Sequence, residues 1–527
     1  MEISGCSIIG YARGAIHPPL GAGINPATGA RLKPEFATAS PAEVARATAL
    51  AHSAFGAYRK LPPVKRAEFL RAIAAELEGL GEAWLERAQT ETALPRARLA
   101  GERGRTCGQL RLMAECIEEG SWVEARIDHG DAARQPQPKP DVRSMLRPLG
   151  PVAVFCAANF PMAFSVAGGD TAAALAAGCP VVVMAHSAHP GTAEMAGLAI
   201  EQAAKRLAMP EGVFSLLFGA GYETGQRLVE APEIEAVAFT GSRRGGTALA
   251  RLAAARPKPI PIYAEMSSVN PVFLLEEAVA TRAEALAAGL TASVTLSVGQ
   301  FCTNPGIVVL PAGEAGDRLA EKLAEKMRAA TPGIMLNPDI HAAYWQALKG
   351  KKSDPELRWL TAPAEASRNG ECLAGAALLE ADAATLRRRP ELQQEIFGPA
   401  TLLVRVRDRS EMLELARALE GNLTASVHGA EGELAGAGEL LAELERRAGR
   451  LIINGYPTGV EVTHAMVHGG PWPATTDARS TSVGTRSLAR FARPVCFQDW
   501  PDALLPEELQ EANPRHLWRL VDGSWKQ

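Results

Sequence analysis

The chain has 527 residues with 47% hydrophobic content and a net charge of -4, and its sequence pI is near 6.3. That length buries a large core and holds roughly two or three domains. The near-balanced charge leaves no electrostatic footprint for nucleic acid or an anionic membrane, so the expected partner is a small molecule.

Met1 to Ala15 lacks the apolar core of a signal segment, and no later stretch reaches the roughly 18 uninterrupted apolar residues of a membrane span. Ser40-Pro41-Ala42-Glu43 reads as a capping box with proline at the first helical position, opening a helix to about Tyr58. From Ala67 to Ile117 the pattern stays helical, interrupted near Gly79 to Gly81 and at Pro95. The run Arg134-Gln135-Pro136-Gln137-Pro138-Lys139-Pro140 breaks helicity and predicts an extended arm.

Apolar strands are predicted at 151–156, 180–184, 212–218, 234–239 and 259–264, separated by helices. Strands so continuously apolar are buried on both faces, which argues for a parallel sheet whose ligands bind beyond the strand C-termini. A nucleotide fits there, although no Gly-x-Gly-x-x-Gly loop is present. From Asn270 a second α/β series begins, with apolar runs at 271–275, 306–310, 400–406, 423–427 and 450–453. Eight cysteines, at 6, 107, 116, 156, 179, 302, 372 and 496, form no Cys-x-x-Cys pair. They suggest no metal site and no disulfide framework, and fit reduced thiols in a cytoplasm.

Cys302 lies in Val298-Gly299-Gln300-Phe301-Cys302-Thr303-Asn304-Pro305-Gly306, where flanking glycines admit substrate and backbone N–H groups. Alone, a cysteine in a chain this long reads by default as a small buried hydrophobe. Asn159 ends an apolar strand in Phe155-Cys156-Ala157-Ala158-Asn159-Phe160-Pro161, and Glu265 closes the β-type run Ile262-Tyr263-Ala264-Glu265. Singly these are a turn residue and a strand-end charge. Together with Cys302 they make a nucleophile, an oxyanion donor and a general base.

With those segments, Phe239-Thr240-Gly241-Ser242 and Glu395-Ile396-Phe397-Gly398-Pro399, the chain resembles the aldehyde dehydrogenase superfamily from about residue 20 onward. Within it, the α-ketoglutarate semialdehyde (2,5-dioxovalerate) dehydrogenase branch is the most similar. The residues behind that choice are Phe301 to Gly306, Ala185-His186 with His189-Pro190-Gly191-Thr192, and His468-Gly469-Gly470-Pro471 followed by Ala474-Thr475-Thr476-Asp477. The resemblance implies an α/β fold with a Rossmann-type cofactor domain (1–128 and 148–267), an α/β catalytic domain (268–474), a small oligomerisation arm (129–147 and 475–500) and a tail (501–527). It also implies a homodimer or homotetramer, NAD or NADP as cofactor, and no metal.

The resemblance makes Cys302 the nucleophile that forms a thiohemiacetal and then a thioester. Asn159 with the Cys302 N–H holds the oxyanion, and Glu265 activates water. Ser242, after Gly241, faces the pyrophosphate at a helix N-terminus, or is an ordinary N-cap. Glu395 holds the nicotinamide ribose with Phe397 nearby, and Gly219 and Gly225 border the adenine. His464 is expected near the thiol, for proton transfer or substrate, or else is structural. Arg105 is expected to face the substrate tunnel and pair with an acid, or to face solvent.

The departures lie at the adenosine ribose. Met184 stands where a lysine is usual, and Tyr222 follows Gly219-Ala220-Gly221 where an arginine is common. Losing both cations removes charge-assisted contacts to a 2′-phosphate, with Ser187 and His186 left as weaker partners, so NAD and NADP both stay open. Besides the semialdehyde reading, the sequence admits a medium- or long-chain aliphatic aldehyde dehydrogenase, a redox-inactive binding homologue, and a thioesterase using Cys302 and His464.

Overall fold

Helix 41–58 opens on the capping box read from the sequence. The Glu43 carboxylate accepts from the Ser40 N–H at 2.8 Å and the Ser40 hydroxyl accepts from the Glu43 N–H at 3.3 Å, which satisfies two donors that a first turn leaves free. The computed structural model describes residues 2–219, 221–363 and 370–527; Ala220 of the expected Gly-Ala-Gly turn lies outside them. Three further helices, 63–79, 81–92 and 96–119, break at the glycine and proline positions that the sequence marked. Their apolar faces, with Phe69, Ile73, Trp84 and Leu110, form one core with Val152, Val154, Val181 and Val183.

The first seven-stranded sheet has the spatial order 262–265, 236–240, 152–155, 181–184, 214–217, 8–9 and 12–13. Its five longer strands are parallel, and the short N-terminal hairpin pairs antiparallel at one edge. Ala153, Val182 and Val237 face a second apolar cluster on the opposite side of the sheet, so both faces are covered, as the unbroken apolar runs require. The chain runs outward from 152–155 to 214–217, then returns to place 236–240 on the other side of 152–155. That reversal opens a crevice at the C-terminal ends of 152–155 and 236–240, the place where open α/β sheets take ligands.

The second seven-stranded sheet runs 358–361, 377–382, 400–406, 307–311, 272–274, 422–428 and 448–453, parallel except for the edge strand 358–361. The predicted runs fall on five of these strands. Strands 358–361 and 377–382 were not expected, because a segment such as Ala377-Leu378-Leu379-Glu380-Ala381-Asp382 has the composition of a helix; burial between neighbouring strands overrides it.

A five-stranded sheet joins 492–498, 142–148, 126–128, 519–521 and 524–526. Two expectations are corrected here. The proline run 134–140 is not itself a strand but part of a loop closed by the Asp131–Lys139 bridge, and pairing begins after it at Val142. Residues 501–527 are not a separate tail: Leu505, Leu509 and Val521 pack with Val123, Ile127 and Met145, giving this small sheet the buried apolar face it needs. No helix among the described residues is long and apolar enough to cross a membrane.

Helix 190–206 begins at His189 without a side-chain cap of its own. Glu91, from helix 81–92 and fully buried, supplies it: its oxygens accept from Gly191 N and Thr192 N at 2.8 Å and from the Thr192 hydroxyl at 2.7 Å, while Arg87 donates at 2.8 Å. A carboxylate there also meets the positive end of the helix dipole. Glu91→Ala is expected to cost about 3 kcal/mol, because buried N–H groups and Arg87 lose their partner together. Thermal and urea unfolding against wild type measure it, and an unchanged midpoint would show that the cap is dispensable.

Candidate functional site

Four segments converge between the two large sheets. Asn159 follows strand 152–155, Ser242 follows 236–240, Glu265 ends 262–265, and Cys302 precedes 307–311. The chain leaves the first sheet at Glu265 and enters the second at Val272, so the thiol stands on the border between them. Ser297, Val298 and Gly299 run in succession at φ 48°, 58° and 66° just before it. A Cβ on Gly299 would lie 2.2 Å from the Gly398 carbonyl, so only glycine fits. The valine in this left-handed stretch costs roughly 1–3 kcal/mol, offset by packing of its side chain against the core of the second sheet.

Asn270 holds the far side of the nucleophile loop. It has no exposed surface and its carboxamide donates to the carbonyls of Cys302 at 2.8 Å and Asn304 at 2.9 Å. Its oxygen accepts from Ser268 and Thr424. The sequence reading took Asn270 only as the start of the second series; a single asparagine in an apolar context carries no signal of this role.

The Cys302 sulfur lies 3.4 Å from His468 Nε2, which lies 2.9 Å from Glu265 Oε1. The Ser482 hydroxyl donates to the other Glu265 oxygen at 2.5 Å. Burial pushes the Glu265 carboxyl up, but His468, Ser482 and the Cys302 thiol together hold it below the usual range. Burial, reinforced by the Glu265 charge, pushes the thiol well above its ordinary value. The resting site is therefore a neutral thiol beside a carboxylate.

The imidazole expected near the thiol at His464 is found instead at His468. His464 is exposed, with Nδ1 at 3.3 Å from the Thr485 hydroxyl, in a separate cavity of about 1300 Å³. The signal that selects His468 is its pair of glycines: a Cβ on Gly469 or Gly470 would meet a carbonyl oxygen at 2.5 or 2.1 Å, so the backbone threads a tight passage there. The segment after it, expected to start the arm at 475, crosses the site first. Met266 N donates to Ala474 O at 2.7 Å, and Ser482 reaches Glu265.

Asn159 is 7% exposed. Its carboxamide donates to Gln300 O at 3.1 Å, which uses one of its two N–H groups. Two partners fix its loop: Arg98 donates to Asn159 O at 2.6 Å, and His189 lies at 2.9 Å from Ala157 O.

Cys302 opens on two cavities. One, of about 370 Å³, is walled by Phe160, Phe164 and Phe301 with Arg98 and Arg105. Arg105 faces this tunnel and not bulk solvent; it donates to Val460 O, while its Nε and Nη2 are buried without partners. The other cavity, of about 390 Å³, holds Asn159, Gly241, Ser242 and Glu265 on one wall and Glu395 and Phe397 on the other. There the buried Thr240 hydroxyl has no partner, and Ser242 caps helix 243–255, accepting from Gly245 N at 3.2 Å. A Cβ on Gly241 would lie 2.8 Å from Phe239, on Gly225 3.0 Å from Phe155, and on Gly219 2.6 Å from Met184. The cleft floor at Gly241, ending in an orphaned hydroxyl and a helix N-terminus, fits a nicotinamide dinucleotide, whereas Gly219 and Gly225 lie outside the lining of this cavity. Ser187 is exposed beyond strand 181–184, while His186 lines the cleft. On helix 243–255, Arg244 Nη2 donates to the Tyr222 hydroxyl at 2.8 Å.

The profile of the aldehyde dehydrogenase family matches residues 21–472. α-Ketoglutaric semialdehyde dehydrogenase 2 of Azospirillum brasilense is 52% identical over 491 residues, 93% of this chain and 93% of that protein. α-Ketoglutaric semialdehyde dehydrogenase of Acinetobacter baylyi is 45% identical over 491 residues, 93% of this chain and 92% of that protein. Among solved structures, lactaldehyde dehydrogenase from Escherichia coli superposes with a TM-score of 0.81 at 20% identity, covering 94% of this chain and 98% of that one.

Burial raises the Glu395 carboxyl to about 8, so it is mostly protonated at pH 7 and mostly ionised at pH 9. If its ionised form accepts from ribose hydroxyls, cofactor Kd should fall by about tenfold over that interval. Glu395→Gln should flatten the dependence. Equilibrium fluorescence titration reads both, and an identical slope in the variant would remove Glu395 from cofactor binding.

Proposed function

Because the chain belongs to the aldehyde dehydrogenase family and oxidises aldehydes to carboxylates with NAD(P), we propose that its substrate is α-ketoglutarate semialdehyde and that Cys302, Glu265 and Asn159 carry the reaction. The observation that carries the substrate reading is the Arg105 guanidinium, buried and with two of its nitrogens unpartnered in the same tunnel as the thiol. A buried cation in that state wants an anion. A short keto acid with an aldehyde at its far end places the carboxylate on Arg105 and the reacting carbon on Cys302. The names of the two relatives point to the same substrate.

The neutral resting thiol must lose its proton as sulfur attacks, and Glu265, ionised and in contact with it, accepts that proton. His468, bound to both groups, keeps them aligned. The oxyanion of the thiohemiacetal meets the second Asn159 N–H and the Cys302 N–H, a type of contact worth about 3 kcal/mol. Bound NAD(P) supplies the two-electron acceptor. Glu265 passes the thiol proton to solvent once hydride has left, then takes a proton from water as the Cys302 thioester is hydrolysed and returns it to the departing thiolate, so that carboxylate is released with its proton to solvent and the thiol is restored.

Either cofactor is read as acceptable, with Arg244 as the cation for a 2′-phosphate; Arg244→Gln is expected to lower affinity for NADP and spare NAD, and an unchanged ratio would discard that role. The edge strand 492–498 of the five-stranded sheet is read as an oligomerisation element of a homodimer or homotetramer. Cysteines that are all unpaired suit the reducing cytoplasm.

Two measurements test the central reading. Arg105→Leu should cost about 2–4 kcal/mol in kcat/KM for the semialdehyde and spare a neutral aldehyde of similar length. Equal losses for both substrates would leave the keto acid without a recognised anchor and favour the aliphatic alternative. Glu265→Gln removes the base of both steps, so hydride transfer in the first turnover and steady-state deacylation should both slow, by roughly 10²-fold or more. A first turnover at the wild-type rate followed by slow steady-state turnover would restrict Glu265 to the hydrolytic water.

A further inference from the structure

Among the described residues, Cys302, His468 and Glu265 form the cluster in which a sulfur, an imidazole nitrogen and a carboxylate oxygen all lie within 4.8 Å of one another. The sequence offered no metal set, because the three are separated by 37 and 166 positions and no pair has ligand spacing. The fold supplies what the spacing lacked. Zinc takes thiolate at about 2.3 Å and nitrogen or oxygen at about 2.0–2.2 Å, so tetrahedral ligand atoms stand roughly 3.3–3.6 Å apart. The Sγ–Nε2 separation of 3.4 Å already has that spacing, the Nε2–Oε1 separation of 2.9 Å must widen by about 0.5 Å to reach it, and the sulfur and carboxylate oxygen lie within 4.8 Å. Cys302 opens on both cavities, which leaves the fourth position free for water.

We propose that Cys302, His468 and Glu265 bind one zinc ion reversibly and, resting on the proposed roles of Cys302 and Glu265, that zinc held there silences the enzyme by occupying its nucleophile and its base together. The exchange is ligand for proton: zinc takes the thiolate, the thiol proton passes to solvent, and the imidazole proton moves from Nε2 to Nδ1. No group is oxidised or reduced. Two features set the strength of binding. His468 Nδ1 is buried and has no partner, so the outer hydrogen bond that usually strengthens a metal-bound histidine is missing. The Arg105 guanidinium faces the same thiol and repels a cation. Both place the site on the order of micromolar affinity, below that of a structural zinc centre. Zinc here is an off-state ligand that also shields the thiol from alkylation and oxidation.

The test uses the metal-free full-length protein, zinc chloride, and cobalt chloride as a spectroscopic probe, with no substrate needed. Zinc should bind at one ion per chain, block iodoacetamide labelling of Cys302, and release it on addition of EDTA. Cobalt should give a thiolate-to-metal absorption band that Cys302→Ser erases. His468→Gln and Glu265→Gln should each weaken zinc binding by about tenfold or more, with a cooperative thermal transition and wild-type far-UV circular dichroism showing that each variant is folded. Absence of saturable binding at 100-fold above the expected micromolar range overturns the proposal. So does zinc that leaves Cys302 labelling unchanged, or binding that survives intact in Cys302→Ser and in both other variants.

Discussion

The carboxamide of Asn270 is the pin on which the site depends. It sits at φ 44° with no exposed surface, in the short crossing between the strand that ends in Glu265 and the first strand of the second sheet. Its two N–H groups go to the carbonyls of Cys302 and Asn304, while Asn422 accepts from the backbone N–H groups of Val269 and Asn270 at 3.1 Å. One residue thus couples the nucleophile loop to the crossing, and a second couples the crossing to the neighbouring strand. A buried carbonyl without a donor costs about 1–3 kcal/mol, so the loop has one arrangement in which all these groups are satisfied. The left-handed run at 297–299 is tolerated because this network and the core hold both of its ends.

Around that pin the site keeps charge in unequal states. Glu265 stays ionised in the interior because His468, Ser482 and the thiol donate to it, whereas burial drives Glu395 up to about 8, with a smaller push from the Glu265 charge. Two carboxylates on facing walls of one cleft are thereby given different work. Burial and the Glu265 charge drive the Cys302 thiol the other way from a free reactive thiol, so any loss of its proton depends on its neighbours.

Much of this was legible in the chain. Continuous apolar runs predicted parallel strands because burial on both faces removes the polar alternation, and the Ser40–Glu43 pair announced a helix start through chemistry that is local. Cys302, Asn159 and Glu265 stood out because each ends or flanks a strand beside residues that open the backbone. Strand 377–382 did not, since alanine, leucine and glutamate favour helix until neighbouring strands bury them. Nor did Ser482, which lies 217 positions from Glu265 in a segment read as an arm.

The sequence by itself determined the layered α/β architecture, the family resemblance and the choice of Cys302 as the candidate nucleophile, because these rest on periodicity, turn chemistry and ordered motifs within short spans. Tertiary structure alone decided that His468 and not His464 reaches the thiol, that Arg105 points into the tunnel with nitrogens unpaired, and that Arg244 bonds the hydroxyl of Tyr222. Those outcomes turn on the path of the backbone past Gly469 and Gly470 and on the angle at which helices 96–119 and 243–255 meet the sheet. Contacts between residues hundreds of positions apart leave no local pattern; they exist only once the chain has closed around a common core.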